Sequence, residues 1–146
     1  MPSAAAIVAC ALALLGRSEK TMAPIVLVDT IPREASAQVE AYVRPSDKTI
    51  YIVTTGPVFR ESQRSRAECG DSIALKKLAS IIAHEQWHVR NGSDERGAYH
   101  EQLSTLLRLG VQPGNPLYGS VQRSMAAVLK RRNEKPEMVL AAGTEK

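Results

Sequence analysis

Apolar residues recur at helical spacing between Ala74 and Val89: Ala74, Leu75, Leu78, Ile81, Ile82 and Val89 share one stripe of a helical wheel. The pattern predicts a long helix that starts near Asp71, a good N-cap residue, and stops at Asn91-Gly92. A second helix follows, with Ser93 as its expected cap and Gly110 as its terminator after Leu109. Asn115-Pro116 can open a third, whose core face is Val121, Met125, Val128 and Leu129. Upstream, the β-branched run Pro24 to Asp29 predicts a buried strand, and Gln38 to Arg44 and Thr49 to Thr55 predict two more. Pro45-Ser46-Asp47-Lys48 has hairpin-turn chemistry, and Gly56-Pro57 ends the last strand. The polar stretch Arg60 to Gly70 is expected to be irregular or a short exposed helix.

These elements imply an α+β fold: a short antiparallel sheet packed on the long helix, with two further helices. A chain of 146 residues suits one domain with one core. We divide it into residues 1–20, a single domain over 21–133, and a flexible tail over 134–146. The segment Ala4 to Gly16 has the length of a signal h-region but lacks a preceding positive run, so a secretion signal and an appended helix both fit. Localisation stays open with it. No stretch is long and apolar enough to predict a transmembrane span.

Composition adds little beyond a globular class: 44% of residues are hydrophobic, 23% charged and only 4% aromatic, so the core must be mostly aliphatic. The net charge of +4 lies largely in Arg60, Arg64 and Arg66 and in Lys130-Arg131-Arg132. No aromatic residues interleave with these runs, so a nucleic-acid partner is not expected. Cys10 and Cys69 fit no zinc-ribbon or CxxC spacing; they can pair only if the N-terminal segment stays attached, and a free buried thiol at each is the preferred expectation.

The chemistry lies in His84-Glu85-Gln86-Trp87-His88. Residues i and i+4 project from one helix face, so both imidazoles can reach one ion at about 2.0–2.1 Å. Both histidines fall at one margin of the apolar stripe and Glu85 just inside it. From there Glu85 can hold a water whose pKa zinc lowers to about 7, and act as its general base. The Asn-Gly break reverses the chain and offers Glu95 as a third ligand. Glu95, Tyr99, Gln102 and Leu106 share one face of the second helix, and Gly97-Ala98 has little bulk to hold the two helices apart. Two alternatives to Glu95 stay open. Asp94 reads better as a first-turn acid, and His100 lies about 140° round the helix from Glu95. Tyr99 is a candidate donor to a developing oxyanion, Gln102 a hydrogen-bonding support, and Trp87 a packing residue.

With its HEQWH motif and the glutamate that follows, the segment from Asp71 to Leu109 resembles the gluzincin metallopeptidases, within a minimal zincin-like domain. The resemblance implies one Zn2+ ion held by His84, His88 and Glu95, with Glu85 and Tyr99 catalytic and a peptide or protein as substrate. It also implies that Thr49 to Thr55 is an edge strand along which an extended substrate lies. Four residues after the glutamate, where the family commonly has an aspartate, this chain has Tyr99, and no metzincin-type third histidine follows. The competing expectation is a zincin-like domain that binds metal or a partner without cutting, since about a hundred residues make one lobe more readily than a deep two-walled cleft.

Overall fold

The third strand organises the sheet. A computed structural model of the chain describes residues 3–17, 22–31, 39–64 and 72–133. In chain order the elements are α1 (Ala4–Leu14), β1 (Ile25–Val28), β2 (Ala41–Arg44), β3 (Thr49–Val53), α2 (Pro57–Arg64), α3 (Ile73–Asn91), α4 (Glu95–Arg108) and α5 (Pro116–Asn133). The described residues thus form an α+β fold of five helices and a three-stranded sheet in the order β1-β3-β2.

Two expectations about the sheet are corrected. It is mixed, not antiparallel: β2 and β3 form the expected antiparallel hairpin, but β1 pairs parallel to β3. And β3 is central, so β2 is the edge strand on the side of the cleft described below. Strand pattern reports which faces are buried, whereas pairing order depends on contacts distant in sequence. The burial of β3 agrees with a central position: Ile50, Ile52 and Val53 are all 0% exposed. The hairpin turns through Pro45–Lys48, where Lys48 adopts φ 52°, and the Asp47 side chain accepts from the Thr49 amide at 3.1 Å.

The main core joins the inner sheet face to α1, α2 and α3, with Leu75, Leu78, Ile81 and Ile82 as the α3 contribution. Ile7, Val8, Ala11 and Leu12 of α1 pack into this same core, so the apolar segment near the start of the chain is here a packed helix. Cys10 on that helix is disulfide-bonded, which corrects the expected free thiol; spacing in sequence carries no information about which thiols folding brings together. Of the stretch Arg60 to Gly70, expected to be irregular or a short exposed helix, the described part is helical: it belongs to α2, which starts three residues earlier at Pro57 and buries Val58, Phe59 and Ser62. Pro57, expected only to end a strand, also supplies the first helical position, where its missing N–H costs nothing.

Two caps also differ from expectation. Ser72 caps α3 by accepting from Leu75 N at 3.1 Å, and Asp94 rather than Ser93 caps α4, accepting from Arg96 N at 3.1 Å. Both shifts are of one residue, within the resolution of cap reading from sequence. Asn115 caps α5 as expected, through Leu117 N at 2.9 Å. Asp71, Cys69, residues 65–70 and the tail over 134–146 lie outside the described residues.

Helices α3 and α4 form an antiparallel pair across the Gly92 break, where φ is 92°. Their close approach needs Gly97, because a Cβ there would overlap the indole of Trp87. A smaller core of Leu103, Leu106, Val111, Leu117 and Val121 fastens α5 to α4. Beyond Val121 the expected α5 face, Met125, Val128 and Leu129, is only half-buried.

The Gly97 contact generates a stability prediction. Alanine gains about 1 kcal/mol of helix propensity over glycine, but overpacking against a rigid ring costs about 1–3 kcal/mol. Gly97→Ala should therefore lower the midpoint of denaturant unfolding, and a raised midpoint would show that the indole has room to move.

Candidate metal centre

Three side chains converge where α3 meets the start of α4. Glu95 Oε1 lies 3.1 Å from His84 Nε2 and 3.1 Å from His88 Nε2. One ligand atom from each of the three residues lies within 4.8 Å of the others, so the group could hold a metal ion. A tetrahedral set at about 2.1 Å from its ion spaces ligand atoms roughly 3.4 Å apart, close to the separations found here. The ring centroids of His84 and His88 are 5.0 Å apart, one helical turn along the same face.

The other ring nitrogens decide which atoms face the centre. His88 Nδ1 lies 2.7 Å from the Gly92 carbonyl, which can only accept, so Nδ1 carries the proton. His84 Nδ1 lies 2.9 Å from Gln102 Oε1. The amide orientation of Gln102 follows from a relay: Ser80 donates to the Lys77 carbonyl at 2.7 Å, leaving its oxygen to accept from Gln102 Nε2 at 3.3 Å. Gln102 must then present its oxygen to His84. In the neutral rings both Nε2 lone pairs therefore point at a carboxylate oxygen that has no proton to give. Three acceptors facing one another require either two imidazolium protons or a cation between them. A borderline-soft divalent ion suits this set of two nitrogens and one oxygen.

Without an ion, the electrostatics describe the alternative in which the Nε2 atoms carry protons. Burial alone would raise the Glu95 carboxyl, but hydrogen bonds from the protonated rings outweigh it and hold Glu95 well below the usual carboxylate range. Burial opposes protonation of His88, yet its bonds to Glu95 and the Gly92 carbonyl raise its pKa overall. Glu85 faces the same cleft. Burial, with a smaller contribution from Glu95, pushes its carboxyl up to about 7 against the opposing influence of His84 and His88. Tyr99 packs edge-on against the His84 ring, with centroids 4.6 Å apart, and its hydroxyl has no hydrogen-bond partner among the described residues. Burial raises its pKa, with Glu95 and Glu85 adding to the effect.

The structure brings together His84, Glu85, His88, Glu95 and Tyr99 on one cleft of about 830 Å³, walled by β2, α3, α4 and α5. Gln102 takes the supporting place expected of it. Neither alternative ligand joins the group: Asp94 is exposed and occupied as the α4 cap, and His100 is exposed. Some supports escape sequence reading. Ser80 stands one turn before His84 on the same face, a spacing that could have revealed it. Gln86, inside the motif, accepts from the Ala23 amide at 3.0 Å and ties α3 to the entry of β1; nothing in the sequence announces that partner.

No protein-family model, curated protein or solved structure shows a significant match to the chain. Among the described residues no helix is long and apolar enough to cross a membrane.

The relay makes metal affinity a graded readout. Calorimetric titration with zinc should give one site per chain, lost in both His84→Ala and Glu95→Ala. Gln102→Ala should retain the site with affinity weakened roughly 10- to 100-fold. Full affinity in Glu95→Ala would exclude the third ligand.

Proposed function

We propose that this chain is a zinc-dependent hydrolase of minimal zincin-like fold, a metallopeptidase resembling the gluzincins. The observation that carries this reading is the convergence of His84, His88 and Glu95 in an open cleft that Glu85 and Tyr99 also line. A zinc ion in that group supplies Lewis acidity that lowers the pKa of a water to about 7 and polarises a substrate carbonyl.

The remaining work falls to side chains. Glu85, one residue on from His84 and rotated about 100° from it, takes the proton of the attacking water. A carboxyl with a pKa near 7 can then return that proton to the leaving amine. Tyr99 has a free hydroxyl beside His84 and donates a hydrogen bond to the oxygen on which charge develops. Gln102 and the Gly92 carbonyl hold the two rings with Nε2 inward, so geometry is set before substrate arrives.

An extended substrate would lie along β2, whose outer edge has no strand partner among the described residues and whose residues Ala41, Tyr42 and Val43 line the cleft. This takes over the role expected of the third strand. The alternative is a zincin-like domain that binds metal without cutting. It calls for a plugged site, and the open cleft beside an edge strand favours the enzyme.

Glu85→Gln should keep one equivalent of zinc by elemental analysis while peptide hydrolysis falls about 10²- to 10⁴-fold or more. Tyr99→Phe should lower kcat with little change in KM. Undiminished turnover in Glu85→Gln would remove this residue from the mechanism.

A further inference from the structure

The cleft carries another carboxylate that takes no part in the metal group. Glu40 directly precedes β2 and is clamped in place. Its backbone carbonyl accepts from Val53 N–H at 3.0 Å, and its Oε1 accepts from Val58 N–H at 3.3 Å in the first turn of α2. The carboxyl packs so closely on Gly56 that a Cβ there would overlap it. Its second oxygen, Oε2, has no hydrogen-bond or ion-pair partner among the described residues. Capping α2 therefore uses half of the group's capacity.

The surroundings make the unused half conspicuous. Glu40 is half-buried, and Val39, Ala41, Val43 and Ile81 line the cleft with it. Burial raises its pKa, while the Val58 amide and the charge of Lys77 oppose that rise. A carboxylate in such a setting is stabilised by a cation. Lys77 lines the same cleft and acts on Glu40 through its charge, but the two form no ion pair. A lysine stem can swing its ammonium towards water, whereas the clamped Glu40 cannot turn away. The other cations lining the cleft, Lys48 and Arg90, are exposed.

Position along α3 gives the scale. Lys77 precedes His84 by two helical turns, roughly 10 Å along the axis, and an extended peptide covers that span in about three residues. We infer that Glu40 is a specificity-determining residue that receives the ammonium or guanidinium of a substrate lysine or arginine, about three residues from the bond cleaved. The inference rests on the hydrolase reading above.

The test uses the zinc-loaded full chain and N-acetylated fluorogenic peptides in which a single lysine is moved along an otherwise uncharged sequence, with norleucine at the same position as control. In the wild type, kcat/KM should favour lysine over norleucine roughly ten- to a hundredfold at one position and not elsewhere. Glu40→Gln keeps an oxygen for the Val58 amide, so α2 stays capped, and should abolish that ratio. Lys77→Met removes the competing cation and should raise it. A ratio near one in the wild type, a ratio unmoved by Glu40→Gln, or a fall in Lys77→Met would overturn the inference.

Binding separates this outcome from failure of the hydrolase reading. Fluorescence anisotropy with zinc-loaded Glu85→Gln protein should show tighter binding of the lysine peptide, lost in the Glu40→Gln/Glu85→Gln double variant. Lysine-dependent binding without any wild-type cleavage would sink the hydrolase reading alone. Cleavage without lysine preference would sink the role of Glu40 alone.

Discussion

Glu95 Oε1 sits equally far from two imidazole nitrogens, and this requires two helices to be held against each other at a fixed depth and rotation. The turn at Gly92 sets the reversal, the missing side chain at Gly97 sets the approach, and the Trp87 ring fills the space that results. If the helices were spread by the width of a methyl group, the carboxylate would leave the reach of one ring or both. The group that could hold a metal, the cleft floor and the orientation of Tyr99 all depend on this single joint.

Polar supports around the joint are satisfied in sequence. The Lys77 carbonyl, the Ser80 hydroxyl, the Gln102 amide and the His84 ring form one hydrogen-bonded chain in which each member fixes the direction of the next. Ser80 and Gln102 are buried, so the cost of breaking the chain is the desolvation of groups left without partners. Such a relay explains how a neutral glutamine can orient the ring here without an ionised carboxylate. His84 needs an acceptor whose orientation is certain, and the relay supplies the certainty without adding charge.

The parts of this architecture that were legible in the sequence are those written in local spacing. The i, i+4 histidines, the apolar stripe of α3, the Asn-Gly break and the shared face of Glu95, Tyr99, Gln102 and Leu106 all follow from helical periodicity within about thirty residues. What was not legible is non-local. The parallel pairing of β1 with β3, the consequent move of β2 to the edge and the Gln86 contact with Ala23 each depend on segments far apart in the chain. The helix at Pro57–Arg64 was legible only in part for another reason: most of its sequence is polar, so a short exposed helix could be expected but not its start at Pro57 or its burial through Val58, Phe59 and Ser62. Glu40 belongs with the non-local group, since only the folded chain sets it against Gly56 and opens it to the cleft.

The carbonyl that orients His88 belongs to Gly92, the residue at which α3 ends. Helix termini fray more readily than helix centres, so one of the two rings is steered from the least secure turn of its own element. Transient unwinding there would release His88 from its bearing while His84, locked deeper in the relay, kept its own. An ion bound across both rings and the opposing helix would act as a rivet on that last turn, suppressing its opening by mass action. Exchange of the ion and breathing of the helix end would then be one event, with a rate set by a glycine.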